Sequence, residues 1–123
     1  MIRKCIALVI PARLNDEVTA NRQDVRHGTL EALYGQLDCI VNGDWQVYLR
    51  ADSRNVHPNV RAGQLLRETG LYLPEVAGTA VYLGRAEHGW DTDAPTHLIR
   101  VAEKLFDTRL AVLSQDVGYI VNG

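Results

Sequence analysis

The chain has 123 residues, of which 46% are hydrophobic and 23% charged, and its formal net charge is −2. This balance is typical of one globular domain and excludes intrinsic disorder, collagen-like repeats and coiled coils. The near-neutral charge argues against general nucleic-acid binding, and no apolar run approaches the length of a membrane helix. Because the apolar stretch behind the basic start is also too short for a signal peptide, we expect a cytoplasmic protein with reduced cysteines.

The first quarter of the chain predicts a central strand, an edge strand and a helix. Ile2–Ile10 is apolar on both alternating faces, as expected of a strand that is covered on both sides. Glu17–Ala20 is a candidate edge strand within a polar stretch. Thr29 is a candidate N-cap for a helix over Leu30–Leu37, in which apolar residues recur at helical spacing.

The middle of the chain predicts a hairpin and a second helix. Cys39–Arg50 contains two apolar segments joined by Asn42-Gly43, which favours a hairpin with a type I′ turn. Asn59 is a candidate N-cap for a helix that continues to about Thr69, where a glycine provides the stop.

The last part predicts a third clear strand and the most regular helix. Gly78–Gly84 is the strand, and a polar loop over Arg85–Asp93 follows it. Asp93 is the candidate N-cap of the next helix, with Pro95 in its first turn and an apolar stripe behind it. The tail Leu110–Val121 is apolar and β-branched enough for one or two strands. The helix stripe consists of Leu98, Val101, Ala102 and Leu105.

These elements predict a single α+β domain over residues 1–123, with the order β-(β)-α-β-β-α-β-α-(β). The sheet is expected to be mixed and mostly antiparallel, with about three helices that cover one of its faces. Residues 107–123 are expected to add a strand pair. Because an apolar tail can pair with the sheet edge of another copy, we also expect a homodimer or higher oligomer.

No sequence motif indicates catalysis, a metal site or a cofactor. The four histidines lack the i, i+4 spacing of a helical zinc site, and neither a nucleophile elbow nor a phosphate loop is present. Glu87 and His88 form a candidate acid–base pair, which keeps an enzyme among the hypotheses. Binding is the preferred class of function.

A first candidate site lies in the polar stretch that enters the second helix. Free backbone N–H groups at a helix start favour an anion, and arginine adds bidentate contacts. The candidate ligand residues are therefore Arg54, His57, Asn59 and Arg61. The alternative is a solvated loop in which Asn59 serves only as a helix cap.

A second candidate site is the loop between the third strand and the last helix. Trp90, if exposed, is a suitable anchor for a protein partner. Glu87, His88 and Asp91 would complete this contact surface. The alternative is that Trp90 packs back onto the core while Asp91 and Asp93 serve the start of the helix.

Several segments resemble a known family. They are the opening strand, the helix before the hairpin, Pro58-Asn59-Val60-Arg61-Ala62, and Gly-Thr-Ala-Val-Tyr-Leu-Gly at positions 78–84. Over residues 5–106 the chain is similar to small proteins with a domain of unknown function, common in actinobacteria and their bacteriophages. The resemblance implies a phage or mobile-element context and supplies no catalytic residues. The chain departs from the family pattern in residues 13–28 and after Asp107.

These observations lead to one main hypothesis and two alternatives. The main hypothesis is a small phage-type accessory protein that binds a host protein, in host takeover or anti-defence, without catalysis. The first alternative is a module that binds or sequesters a small anion or nucleotide at the Asn59 helix start. The second is a structural component of the phage particle.

Overall fold

One antiparallel sheet organises the computed structural model, which describes residues 4–52 and 54–110. The strands are β1 (Lys4–Ile10), β2 (Thr19–Asp24), β3 (Leu37–Asn42), β4 (Trp45–Arg50), β5 (Ala80–Arg85) and β6 (Asp91–Thr92). Their order in the sheet is β2-β1-β5-β4-β3, and β6 pairs with the end of β5. The sheet and three helices confirm the α+β class and the predicted order of elements.

The three helices cover both faces of the sheet. They are α1 (His27–Tyr34), α2 (Val60–Glu68) and α3 (Thr96–Phe106). Leu8 of β1 packs in the cluster that includes α2 and α3, whereas its neighbour Ala7 packs in the cluster that includes Leu30 of α1. Because side chains alternate along a strand, these clusters lie on opposite faces. The two-sided burial of β1 is confirmed, and the expectation that the helices cover a single face is wrong.

The helix predicted at Leu30–Leu37 begins and ends earlier than expected. Thr29 lies inside α1, and its hydroxyl donates to Asp24 Oδ2 at 3.2 Å instead of capping the helix. Leu37 belongs to β3, and its backbone N–H donates to the Glu31 carboxylate at 3.3 Å. The N-cap prediction for Thr29 is therefore wrong, because a carboxylate just before the helix attracts its hydroxyl.

The predicted hairpin is present, with its turn shifted by one residue. Asn42 pairs with Trp45, so Gly43 and Asp44 form the two-residue loop. Gly43 has φ +67°, and Asp44 has no positive φ. A positive φ at the first loop residue alone matches a type II′ pattern, so the type I′ prediction is wrong.

The two later helices begin in different ways. Asn59 caps α2 as predicted, since its Oδ1 accepts from the N–H of Ala62 at 2.9 Å. Pro95 occupies the N-cap of α3 and provides no side-chain bond. Asp93 Oδ1 instead accepts from the N–H of Ile6 at 2.7 Å, so the Asp93 cap prediction is wrong. This carboxylate completes the contact between β1 and the segment that follows β6.

The strands and the dimer contact predicted for Leu110–Val121 lie outside the described residues, apart from Leu110, which is buried in the core. Within the described part of the chain, no helix is both long and apolar enough to cross a membrane.

Candidate functional site

A cleft of about 490 Å³ opens beside α2. Its wall is formed by residues 73–77, which a short antiparallel bridge between Pro58 and Ala77 holds against the approach to α2. The N–H of Asn59 donates to the Val76 carbonyl, and the N–H of Gly78 donates to the His57 carbonyl, both at 2.8 Å. The apolar lining residues are Val56, Pro58, Val60, Leu73, Pro74 and Val76, and the charged ones are Arg54, Arg67 and Glu75.

Asn59 lines the cleft, but its side chain is fully occupied inside the fold. The side chain is only 2% exposed. Its Nδ2 donates to the carbonyls of Ile10 and Gly78, both at 2.8 Å, while its Oδ1 accepts from Ala62. These three bonds join the start of α2 to the last residue of β1 and to Gly78, which follows the cleft wall. Asn59 therefore positions the cleft and has no amide group to offer a ligand.

The other three predicted ligand residues separate. Arg61 turns away from the cleft and donates from Nη2 to two carbonyls that follow β1, at 2.8 and 2.7 Å. Arg54 lines the cleft, and its exposed guanidinium pairs with Asp52 at 3.2 Å. His57 is exposed and does not line the cleft. The structure thus brings only Arg54 and Asn59 together there.

Three cleft residues on α2 were not among the sequence candidates. Val60, Gly63 and Arg67 line the cleft at i, i+3 and i+7 of α2, which places them on one helix face. The Arg67 Nη1 lies 3.7 Å from the position that a Cβ on Gly63 would take. The helical spacing was readable in the sequence, but the facing wall at residues 73–77 was not.

The second candidate site forms a tight turn between β5 and β6. The N–H of Ala86 donates to the Trp90 carbonyl and the N–H of Gly89 to the Ala86 carbonyl, both at 2.9 Å. Trp90 is 58% exposed, in contrast to 4% for Trp45 in the core. Glu87 and His88 are also exposed on this turn. The structure brings these three predicted contact residues together, and the alternative of a core-packed Trp90 is wrong.

Asp91, the fourth predicted contact residue, faces the sheet. Its carboxylate accepts from the Tyr48 hydroxyl at 2.9 Å and from the Gln46 amide. Burial raises the pKa of Tyr48, and the adjacent negative carboxylate raises it further. Burial likewise raises the pKa of the Cys39 thiol, which donates to the Gln46 Oε1 at 3.5 Å. Asp91 thus fixes the base of the Trp90 turn to β4.

The acid–base hypothesis gains no supporting geometry. Glu87 and His88 lie on the exposed turn, and neither lines the cleft beside α2. Among the described residues, no group of three or more histidine, cysteine, aspartate or glutamate side chains is placed to hold a metal ion.

Comparison with known proteins adds no relative. No protein-family profile, curated protein or solved structure matches the chain. The resemblance to the actinobacterial and phage family therefore stays a prediction, and the site geometry is the basis for inferring function.

Proposed function

We propose that the protein acts by binding another protein, with the Trp90 turn as its main contact. The observation that carries this proposal is the 58% exposure of Trp90, the residue that closes a hydrogen-bonded turn. Tryptophan is strongly enriched among the residues that dominate protein–protein binding energy, because it buries a large apolar surface and retains one N–H donor.

The turn is held in place before a partner arrives. The backbone bond between Ala86 and Trp90 closes the turn. The next residue, Asp91, is anchored to β4 because its carboxylate accepts from Tyr48 and Gln46. A contact residue on a rigid segment loses little conformational entropy on binding. This preorganisation supports a recognition role for Trp90.

A carboxylate and an imidazole next to Trp90 are suited to the rim of the interface. Glu87 and His88 are exposed on the same turn. Rim charges of this kind steer association and set partner choice more than they add affinity. The family resemblance makes a host protein the expected partner, in host takeover or anti-defence. A structural role in the phage particle is the competing assignment, and co-purification with virions would favour it.

A comparative pull-down tests this function. Wild-type protein, Trp90→Ala and Tyr72→Ala are immobilised and exposed to lysate of the bacterium that carries the gene or its phage. Tyr72 is the matched control, because its aromatic side chain is 84% exposed and lies neither on the Trp90 turn nor in the lining of the cleft. Proteins retained by the wild type are then purified and their affinities measured by calorimetry.

We expect one partner to bind the wild type and Tyr72→Ala equally and Trp90→Ala about thirtyfold more weakly, the usual cost of truncating a central tryptophan. A partner that binds all three proteins with equal affinity would overturn the assignment of Trp90.

A second candidate function is the binding of a small anionic ligand in the cleft beside α2. Its volume of about 490 Å³ lies within the usual range for small-molecule sites, and its walls are mainly apolar with a few charged groups. This observation moves the proposed ligand contacts from Asn59 and Arg61 to the other side chains that line the cleft.

A further inference from the structure

Gly63 stands at a helical position where alanine would fit. A Cβ at this residue would meet only the Arg67 Nη1, at an ordinary contact distance of 3.7 Å. Gly63 has no positive φ, so its backbone conformation does not require glycine either. Because glycine destabilises a helix interior relative to alanine, its presence has a cost that neither sterics nor geometry explains. What its missing side chain provides is open space in the cleft.

The side chain of Arg67 borders the open space beside Gly63. Long side chains on a helix lean toward its N-terminus, and the guanidinium of Arg67 accordingly lies beside Gly63, one turn back. Within the described ranges, the guanidinium of Arg67 forms no hydrogen bond or ion pair. The N–H groups of Val60 and Arg61 in the first turn of α2 also have no acceptor there.

We propose that the cleft binds a small molecule with an apolar body and a single oxyanion group, and that the oxyanion pairs with Arg67 beside Gly63. This inference rests on the second candidate function. The apolar walls at Val56, Leu73 and Val76 contact the body of the ligand, and the guanidinium donates two hydrogen bonds to a carboxylate, sulfonate or phosphate monoanion in a bidentate contact.

Two features of the cleft favour one negative charge over several. Glu75 lines the same cleft and opposes the approach of a polyanion. Arg54 already pairs with Asp52, which lowers the net positive charge that it offers. The expected ligand is therefore an aromatic or aliphatic monoanion, and a nucleoside triphosphate is disfavoured.

Three probes of nearly equal shape test this specificity by NMR titration of the full-length, isotope-labelled protein. They are 2-naphthoate, its neutral amide 2-naphthamide, and the cation 2-naphthylmethylamine. We expect saturable amide shifts that centre on the residues lining the cleft, with naphthoate binding about tenfold more tightly than the amide. The amine is expected to bind more weakly than both.

Variants then assign the two roles. Arg67→Met keeps an unbranched apolar stem and is expected to bind naphthoate and naphthamide equally. Gly63→Leu fills the open space and is expected to weaken both probes at least about tenfold, while its better helix propensity keeps the protein as stable as the wild type in thermal unfolding. Arg100→Met, an exposed change on α3, is the matched control and leaves both affinities unchanged.

Absence of saturable shifts in the wild type, or shifts that centre away from the cleft, would overturn the proposed site. Equal affinity of the wild type for naphthoate and naphthamide would overturn the role of Arg67. Full binding by Gly63→Leu would overturn the role of the open space. Because Trp90→Ala leaves the cleft intact, the pull-down with this variant tests protein binding through Trp90 independently of the ligand titrations of the cleft.

Discussion

Replacing Asn59 with alanine is expected to destabilise the whole domain. The side chain is 2% exposed and joins three backbone groups that are themselves buried. Its removal takes one hydrogen bond each from the carbonyls of Ile10 and Gly78 and from the N–H of Ala62. Each buried polar group that loses its partner costs about 1–3 kcal/mol. We therefore expect Asn59→Ala to lower the free energy of unfolding by about 3–5 kcal/mol, a large part of the stability of a small domain.

Urea unfolding followed by circular dichroism measures this loss, provided that the m-value is unchanged. Asn15→Ala is the matched control, because Asn15 is exposed and forms no hydrogen bond within the described residues; we expect a change of less than about 0.5 kcal/mol. A loss below about 1 kcal/mol for Asn59→Ala would refute the three-bond account.

Asn59→Asp separates the cap from the two donor bonds. The carboxylate still accepts from Ala62, but its second oxygen faces the carbonyls of Ile10 and Gly78, which the native Nδ2 contacts at 2.8 Å. Because the fold favours the protonated form, the pKa of this carboxyl should rise above its unfolded value of about 3.9. The stability of Asn59→Asp relative to wild type should therefore be highest below pH ~4 and fall as the pH increases.

Two further substitutions test the packing of β6 and the acid response. Gly84→Ala should lower the free energy of unfolding by about 1–3 kcal/mol, since its Cβ would overlap the Asp93 carbonyl oxygen. Gly28→Ala is the control: its Cβ meets open space in α1, and the change should be neutral or slightly stabilising. Equal stabilities of the two variants would contradict the close approach of the two strands. Hydrogen bonds from Arg26 lower the pKa of Asp24 from 3.8 to about 2, so Asp24 adds stability above pH 3.8 that is lost as the pH falls toward 2. The stability difference between wild type and Asp24→Asn, measured by urea unfolding at several pH values, should shrink over that interval, and a constant difference would contradict the assignment.

Local signals predicted the elements whose partners are close in sequence. The apolar run of β1 and the two segments of β3 and β4 joined by Asn42-Gly43 are local patterns, and both predictions are confirmed. The cap at Asn59 was readable for the same reason, since its acceptor oxygen serves the N–H three residues later. The two donor bonds of its Nδ2 were not readable, because Ile10 is 49 residues away.

The two wrong helix-cap predictions, at Thr29 and Asp93, arose where a competing partner took a polar side chain. Asp93 precedes a helix and suits a cap, but the N–H of Ile6, 87 residues away, takes its carboxylate. The two candidate sites also differ in whether their contacts are local or distant in sequence. The turn at Trp90 is built from local backbone bonds and was a candidate site in the sequence, whereas the cleft needs residues 73–77 to be paired with the approach to α2, a contact that no local pattern indicates.

Site-specific photo-crosslinking in cells tests the central proposal, protein binding through Trp90, most directly. A photoreactive phenylalanine analogue replaces Trp90 in one variant and Tyr72 in the other, so that each retains an aromatic side chain at a position that is 58% or 84% exposed. The proposal predicts one discrete adduct from position 90, with the added mass of a host protein, and none from position 72. No adduct from position 90, the same adducts from both positions, or an adduct with twice the mass of this chain would contradict it.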